Sequence, residues 1–252
     1  MLSKSKKGCY IKWMCVNSFL FADDLFILSV SLSDMKYLLD SCVKCMDSLG
    51  MEINTRKTAC IRIGPRHNAP VANLVLNGTP LTWNQDLSYL GLVVCSAKKF
   101  TVNQQKLKQK FFRSLNGIFG KIGVKSAPQV VLSLIELCCL PALLYASECV
   151  MWNASMIKAL KYLCSCIYKL FSTYDISTAT YCQYYMGQLP VELRIVARKL
   201  KFLHAIKNCN SFVLHSLLFN DSEEVSMKAK YGINNCDNWK HSLWKYFEAK
   251  LV

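Results

Sequence analysis

Val16-Asn17-Ser18-Phe19-Leu20-Phe21-Ala22-Asp23-Asp24-Leu25-Phe26-Ile27-Leu28-Ser29-Val30 places two adjacent carboxylates between two segments of strand-like composition. The pattern predicts a β-hairpin with its acids at the tip. Neighbouring carboxylates repel each other and avoid apolar surroundings, so two of them at a sheet edge need solvent or a cation beside them. A hard divalent ion such as Mg²⁺ takes oxygen ligands and is commonly shared between one or two carboxylates and substrate phosphates. That makes phosphoryl or nucleotidyl transfer the first chemistry to consider. The plainer account is a turn that carries two aspartates because Asp favours turns.

Outward from this stretch, the chain of 252 residues is 52% apolar, enough for one large domain or two small ones and too much for a disordered chain. Its 31 Lys and Arg against 16 Asp and Glu give a formal charge of +15, which points to a polyanionic partner, either nucleic acid or an anionic membrane surface. The 14 cysteines are scattered through apolar segments such as Cys138-Cys139 and Cys164-Ser165-Cys166, a pattern of buried free thiols in a reducing compartment. Cys42 and Cys45 form a CxxC, but inside a helical pattern and without the second ligand pair that structural zinc needs. Lys4, Lys6 and Lys7 precede a short apolar run in the manner of a secretory leader. Lys12 interrupts that run, and Asp23-Asp24 stand where a small-residue cleavage site belongs. The longest apolar stretch, Leu137 to Ser147, contains Pro141 and is too short to span a bilayer; it predicts a buried helix.

In chain order, Gly8 to Trp13 reads as a strand leading into the hairpin. Ser33 can cap a helix whose Met35, Leu38, Leu39, Cys42, Met46 and Leu49 share one face, with Gly50 as its left-handed C-terminal cap. Ala59 to Ile63 alternates like a half-exposed strand, Asn77-Gly78 between apolar residues signals a hairpin, and Leu87 to Val94 reads as a further strand. This order predicts an α+β fold, with an antiparallel sheet and a packed helix over residues 1–95. From about residue 96 the chain becomes helical. Between Lys98 and Lys125 no acid occurs, while Lys98, Lys99, Lys106, Lys108, Lys110, Arg113, Lys121 and Lys125 carry positive charge and Leu107, Phe111, Leu115, Ile118 and Ile122 form one apolar stripe. Such a helix docks by its stripe and presents cations that neutralise phosphates. Ser126 and Pro128 open a helix apolar nearly all round, Ser155 caps another, and Pro190 opens a fourth carrying Arg194, Arg198, Lys199, Lys201 and Lys207. Tyr181, Tyr184 and Tyr185 precede that fourth helix, where they can stack on bases or join the core.

Three of these signals, in this order, resemble the palm and thumb of a reverse transcriptase from a non-LTR (LINE-type) retrotransposon. Phe21-Ala22-Asp23-Asp24 looks like the metal-binding hairpin of that family. Gly50-Met51-Glu52-Ile53-Asn54 with Lys57-Thr58 is similar to the pattern after the palm helix, and Ser88-Tyr89-Leu90-Gly91 resembles the primer-gripping strand. Leu143 to Glu148 with Trp152, and the helix from Arg194 to Lys207, look like the downstream helical region. The resemblance covers most of residues 8 to 208. It implies a partial polymerase palm over 1–95, a helical thumb or connection over 96–210, and a tail, 211–252, without assignment.

By this resemblance Asp23 and Asp24 would be ligands of catalytic Mg²⁺, with Mn²⁺ as a substitute, and Lys57 would assist at the triphosphate. Tyr89, Leu90 and Gly91 would position the primer, and the basic helix would hold the nucleic-acid backbone. Its partners would be an RNA template, a DNA primer and deoxynucleoside triphosphates, not a membrane, in an intracellular setting that is cytoplasmic and nuclear. The family also uses an earlier metal-binding aspartate and the fingers. Only about twenty residues precede the hairpin and none of them is acidic, so the expectation is a fragment, inactive alone and weak in metal binding. A non-catalytic basic nucleic-acid-binding module is the alternative, and a basic protein at an anionic membrane surface a third reading.

Overall fold

The computed structural model describes residues 5–123, 126–150, 168, 170–217, 222–233 and 238–251. The chain forms two compact units, Met1–Asn103 and Gln104–Val252. In the first, short strands broken by two-residue reversals give a succession of hairpins: β1 (Cys9–Ile11) with β2 (Met14–Val16), and β3 (Ser18–Phe21) with β4 (Asp24–Ile27). Asn17 joins them. Its carbonyl accepts from Leu28 N–H at 2.8 Å, and its side-chain amide donates to Lys7 C=O at 3.1 Å. Gly8 must be glycine here, because its φ is +136° and a Cβ would lie 2.5 Å from the Asn17 Cβ.

Helix α1 (Leu32–Ser48) starts one turn-residue pair earlier than expected, because Ser31 rather than Ser33 accepts the Asp34 N–H at 3.1 Å. Gly50, with φ +67°, does end it. Leu38, Leu39 and Cys42 are buried, whereas Leu49 sits past the last turn and is exposed. Leu39 packs with Leu74, Leu76 and Leu81, flanked by Ile27, Met35 and Trp83, so one face of α1 closes the core of this unit. Asp34 in its first turn pairs with Lys7 at 3.2 Å.

The later strands are β5 (Val75–Leu76) with β6 (Thr79–Pro80) around Asn77-Gly78, then β7 (Asp86–Tyr89), β8 (Leu92–Cys95) and β9 (Thr101–Val102). The ladders are all antiparallel, in keeping with an α+β fold. Among the described residues they form four small sheets rather than one, since strands of two to four residues end at turns before a neighbour can extend the ladder. Two expectations fail for local reasons. Residues 59–63 contribute a single bridge, Cys60 with Trp83, because Arg62 donates its guanidinium to Ala69 C=O and gives its carbonyl to the Ser96 hydroxyl. Residues 87–94 are not one strand but a hairpin, turned where Leu90 and Gly91 take φ of 45° and 78°.

In the second unit, α2 (Gln104–Ile122) lays Leu107, Phe111, Leu115 and Phe119 inward, with Ile118 and Ile122 at the margin. Against it pack α3 (Pro128–Leu134), a wide π-turn (Ile135–Cys139) and α4 (Leu140–Leu143). Pro141 has no N–H for the carbonyl four residues back and its ring crowds that carbonyl, which accounts for the widened turn before it. This segment is not buried all round as its composition predicts: Val131, Leu132 and Leu143 are inside, but Leu137 is 74% exposed. Helices α5 (Ile176–Tyr185), α6 (Val191–Lys207), α7 (Phe212–Leu217), α8 (Ser222–Tyr231) and α9 (Trp239–Glu248) follow. The expected helix from Ser155 and Lys125 lie outside the described residues. Helix α6 is buried on two sides, with Val191 and Ile195 in the core beneath α2 and Leu193 and Leu200 in a second core with Ile233, Leu243 and Phe247. The tyrosines expected before α6 lie on their own helix, α5, capped by Asp175. Tyr184 packs by its edge on Trp244 and Phe247, so the core account holds for it, while Tyr185 remains exposed.

No described cysteine is in a disulfide; Cys42 and Cys139 are buried as expected, but Cys138 and Cys149 are exposed. Burial, with the charge of Cys138 adding to it, pushes the Cys139 thiol up to about 11.

Glu224 on α8, buried, takes Lys207 of α6 and Lys228 of its own helix, each at 2.7 Å. Burial works to raise its carboxyl, but the two ammonium groups outweigh that and hold it below the ordinary carboxylate range. A depressed carboxyl stabilises the fold above its unfolded value, about 4.3, and ceases to do so as pH falls through the folded value. Glu224→Gln is expected to cost about 1–3 kcal/mol at pH 7. The gap to the unsubstituted protein, read as melting temperature against pH, should close below about pH 4.

Candidate functional site

The β3–β4 register pairs Phe21 with Asp24, so the loop is two residues long and consists of Ala22 and Asp23. Ala22 has φ +52° and Asp23 does not share the positive sign, the pattern of a type II′ reversal, which favours glycine at its first position. A Cβ there is strained, and such strain survives where the surrounding structure enforces it, often at functional sites. The reversal carries both acids to the tip of the ribbon, exposed. Neither carboxylate makes a hydrogen bond or ion pair with a described residue. No group of three His, Cys, Asp or Glu that could enclose a metal occurs among the described residues. The donor set is therefore two hard oxygen ligands open to solvent, which suits a divalent cation shared with phosphate oxygens rather than one enclosed by protein.

Alternation along β4 puts Phe26 on the face that carries Asp24. The Phe26 ring meets Tyr89 at 4.8 Å between centroids, tilted by 34°. The structure thus brings two of the sequence-derived motifs together, since Tyr89 is the last residue of β7 and Leu90-Gly91 form the reversal that follows it. Leu90, like Ala22, is a residue with a side chain held at positive φ. Phe26 was not singled out in the sequence, although the period of two already placed it beside Asp24.

Lys57 lies elsewhere, on a loop shaped by Asn54. The Asn54 side-chain carbonyl accepts from Arg56 N–H at 3.1 Å and Lys57 N–H at 3.2 Å, and its backbone carbonyl takes Thr58 N–H and hydroxyl. The loop presents Lys57 to solvent, and Lys57 forms no ion pair with Asp23 or Asp24. Lys98 and Lys99 are exposed at the bends before β9.

Cations on the second unit divide into two kinds. On α6, Arg194 meets Glu136 at 2.7 Å and Arg198 meets Glu148 at 3.2 Å, while Lys199 is buried and Lys207 is held by Glu224. That helix uses most of its charge to hold the unit together. On α2, Lys106, Lys110, Arg113 and Lys121 are exposed and Lys108 is half-buried; Lys110, Arg113 and Lys121 join no ion pair with a described residue. Among the described residues no helix is long and apolar enough to cross a membrane.

Ala22→Gly removes the strained Cβ and is expected to stabilise the first unit by about 1 kcal/mol. The measurement is the urea midpoint, and a lower midpoint would contradict the strain. Breaking the aromatic link is the complement: Phe26→Ala and Tyr89→Ala should couple by about 0.5–1.5 kcal/mol in a double-mutant cycle.

No protein-family model matches the chain, and the search of curated proteins found no match.

Proposed function

We propose that the chain is palm and thumb sequence of an RNA-directed DNA polymerase of the non-LTR retrotransposon type, in which Asp23 and Asp24 hold the catalytic Mg²⁺. The observation that carries this reading is the strained two-residue reversal that exposes two unengaged carboxylates, linked through Phe26 and Tyr89 to a second hairpin. When bound, the metal supplies Lewis-acid activation of a primer hydroxyl and charge neutralisation at the leaving pyrophosphate. The chain's own contribution is positional. The reversal fixes both carboxylates in one orientation, and the ring contact sets the Tyr89-Leu90-Gly91 turn, the primer-positioning candidate, on the face of β4 that bears Asp24. Lys57, on its Asn54-shaped loop, contributes positive charge toward a triphosphate. Two carboxylates fill only part of a two-metal ligand set, so nucleotide transfer requires a further acid beyond the described residues.

The exposed, acid-free face of α2 favours a second reading, a basic module that binds nucleic acid without catalysis. Mn²⁺ titration followed by amide NMR separates the two. Under the polymerase reading, paramagnetic broadening should centre on residues 21–25, reach residues 89–91 more weakly, and disappear in Asp23→Asn/Asp24→Asn. Broadening that survives the double substitution, or none at millimolar Mn²⁺, would leave only the binding module. In a longer chain that adds the further acid, Asp23→Ala should reduce incorporation on a primed RNA template at least about 10³-fold.

A further inference from the structure

We propose that the outer face of the α3–α4 segment is an interface through which two copies of this chain pair antiparallel, about a two-fold axis that passes between Leu137 and Cys138. The inference stands apart from the polymerase reading and uses none of its site residues. The inner side of the segment, with Val131, Leu132, Ile135, Cys139 and Leu143, belongs to the core of the second unit. Its outer side is apolar as well, and among the described residues nothing covers it. Val130 is 53% exposed, Leu137 74% and Tyr145 48%. Cys138 and Pro141 are exposed between them, and Leu134 is half-buried at the margin. These positions recur every three or four residues, so they form one stripe along the segment. At its centre the π-turn accommodates an extra residue, which sets Leu137 and Cys138 side by side at the surface.

The order of the stripe points to its occupant. Val130, Leu134, Leu137, Cys138, Pro141 and Tyr145 are separated by 4, 3, 1, 3 and 4 residues, intervals that are the same from either end. A two-fold interface brings one patch against itself, so that residue i meets j while j meets i. Laid antiparallel, Val130 faces the partner's Tyr145, Leu134 the partner's Pro141, and Leu137 the partner's Cys138, so every apolar position meets another. The same symmetry sets Ser133 opposite the partner's Ala142, two small side chains that let the backbones approach.

Charge agrees with a second copy rather than with a polyanion. No Lys or Arg occurs from residue 126 to 157, although the chain has 31 of them. The acids in that span, Glu136 and Glu148, are taken by Arg194 and Arg198 of α6. Two copies of a chain with a formal charge of +15 can therefore meet here without setting like charges against each other. The stripe offers about 400 Å² of apolar surface per copy, roughly half of what a standard interface buries on each side, so the dimer is a reversible one.

The test is sedimentation equilibrium of the full chain between about 1 and 200 µM, a range suited to an interface of this size. The average mass should rise from one chain toward two. Leu137→Lys and Leu137→Glu should each raise the dissociation constant at least about 10-fold with the melting temperature of the dilute protein unchanged, and an equimolar mixture of the two should pair again. Val225→Lys, at an exposed apolar residue of α8, should leave the association as it was. A short bismaleimide should link two chains through Cys138; Cys138→Ser should abolish that product and Cys149→Ser should not. A chain that stays single at the highest concentration, linked dimers that persist in Cys138→Ser, or no pairing in the Leu137→Lys and Leu137→Glu mixture would each overturn the proposal. Oligomers larger than two would do so as well, because a closed two-fold contact leaves no stripe free. Binding to neutral phospholipid vesicles in place of self-association would assign the stripe to a lipid surface and equally overturn it.

Discussion

The reversal at Ala22-Asp23 is the constraint on which the first unit's candidate site depends. A two-residue loop leaves no slack: pairing Phe21 with Asp24 fixes the register of the whole ribbon, and a shift by one residue would send Asp24 and Phe26 to the other face. With the register set, Phe26 can reach Tyr89, and the Leu90-Gly91 reversal is carried onto the same side as the acid. Ala22 is held at positive φ although glycine would fit more easily. The ribbon's own pairing and the Asn17 junction at its base enforce that conformation.

The second unit shows how the same residue types serve opposite ends. Arg194 and Arg198 lie near half-buried carboxylates, and each forms a cross-element ion pair that ties α6 to residues 136–148. Glu148 is held below the ordinary carboxylate range: burial acts to raise it, and hydrogen bonds from Arg198 and Ser147 more than offset that. On α2 no acid is close in sequence, and the cations stay at the surface. A net charge of +15 therefore does not locate a binding face, since some cations are paired with carboxylates inside the fold and others stand at the surface. Among the described residues, α2 carries exposed cations that join no ion pair at Lys110, Arg113 and Lys121.

The C-terminal residues, a tail without assignment by the resemblance, complete a core. Leu243 and Phe247 of α9 and Ile233 after α8 cover Leu193 and Leu200 of α6. The Tyr181 hydroxyl reaches Leu251 C=O, and Tyr184 donates to Glu248 at 3.1 Å. Trp244 and Phe247 of α9 meet the Tyr184 ring by their edges, and the Glu224 ion cluster fixes α8 against α6.

The sequence by itself determined the features that depend on neighbours along the chain. Alternation of apolar residues about Asp23-Asp24 specified a hairpin with acids at its tip, Asn77-Gly78 specified another, and Gly50 ended the helix after an apolar face at helical spacing. The stripe from Leu107 to Leu115 was legible for the same reason, and so was the absence of acids beside it. Tertiary structure alone decided what depends on residues far apart. The 62 positions between Phe26 and Tyr89 carry no sign that their rings meet. Nothing near Arg194 tells that Glu136 will neutralise it. Local sequence sets backbone conformation because its energies act between adjacent residues. Burial and charge pairing are set by which surfaces the chain brings together.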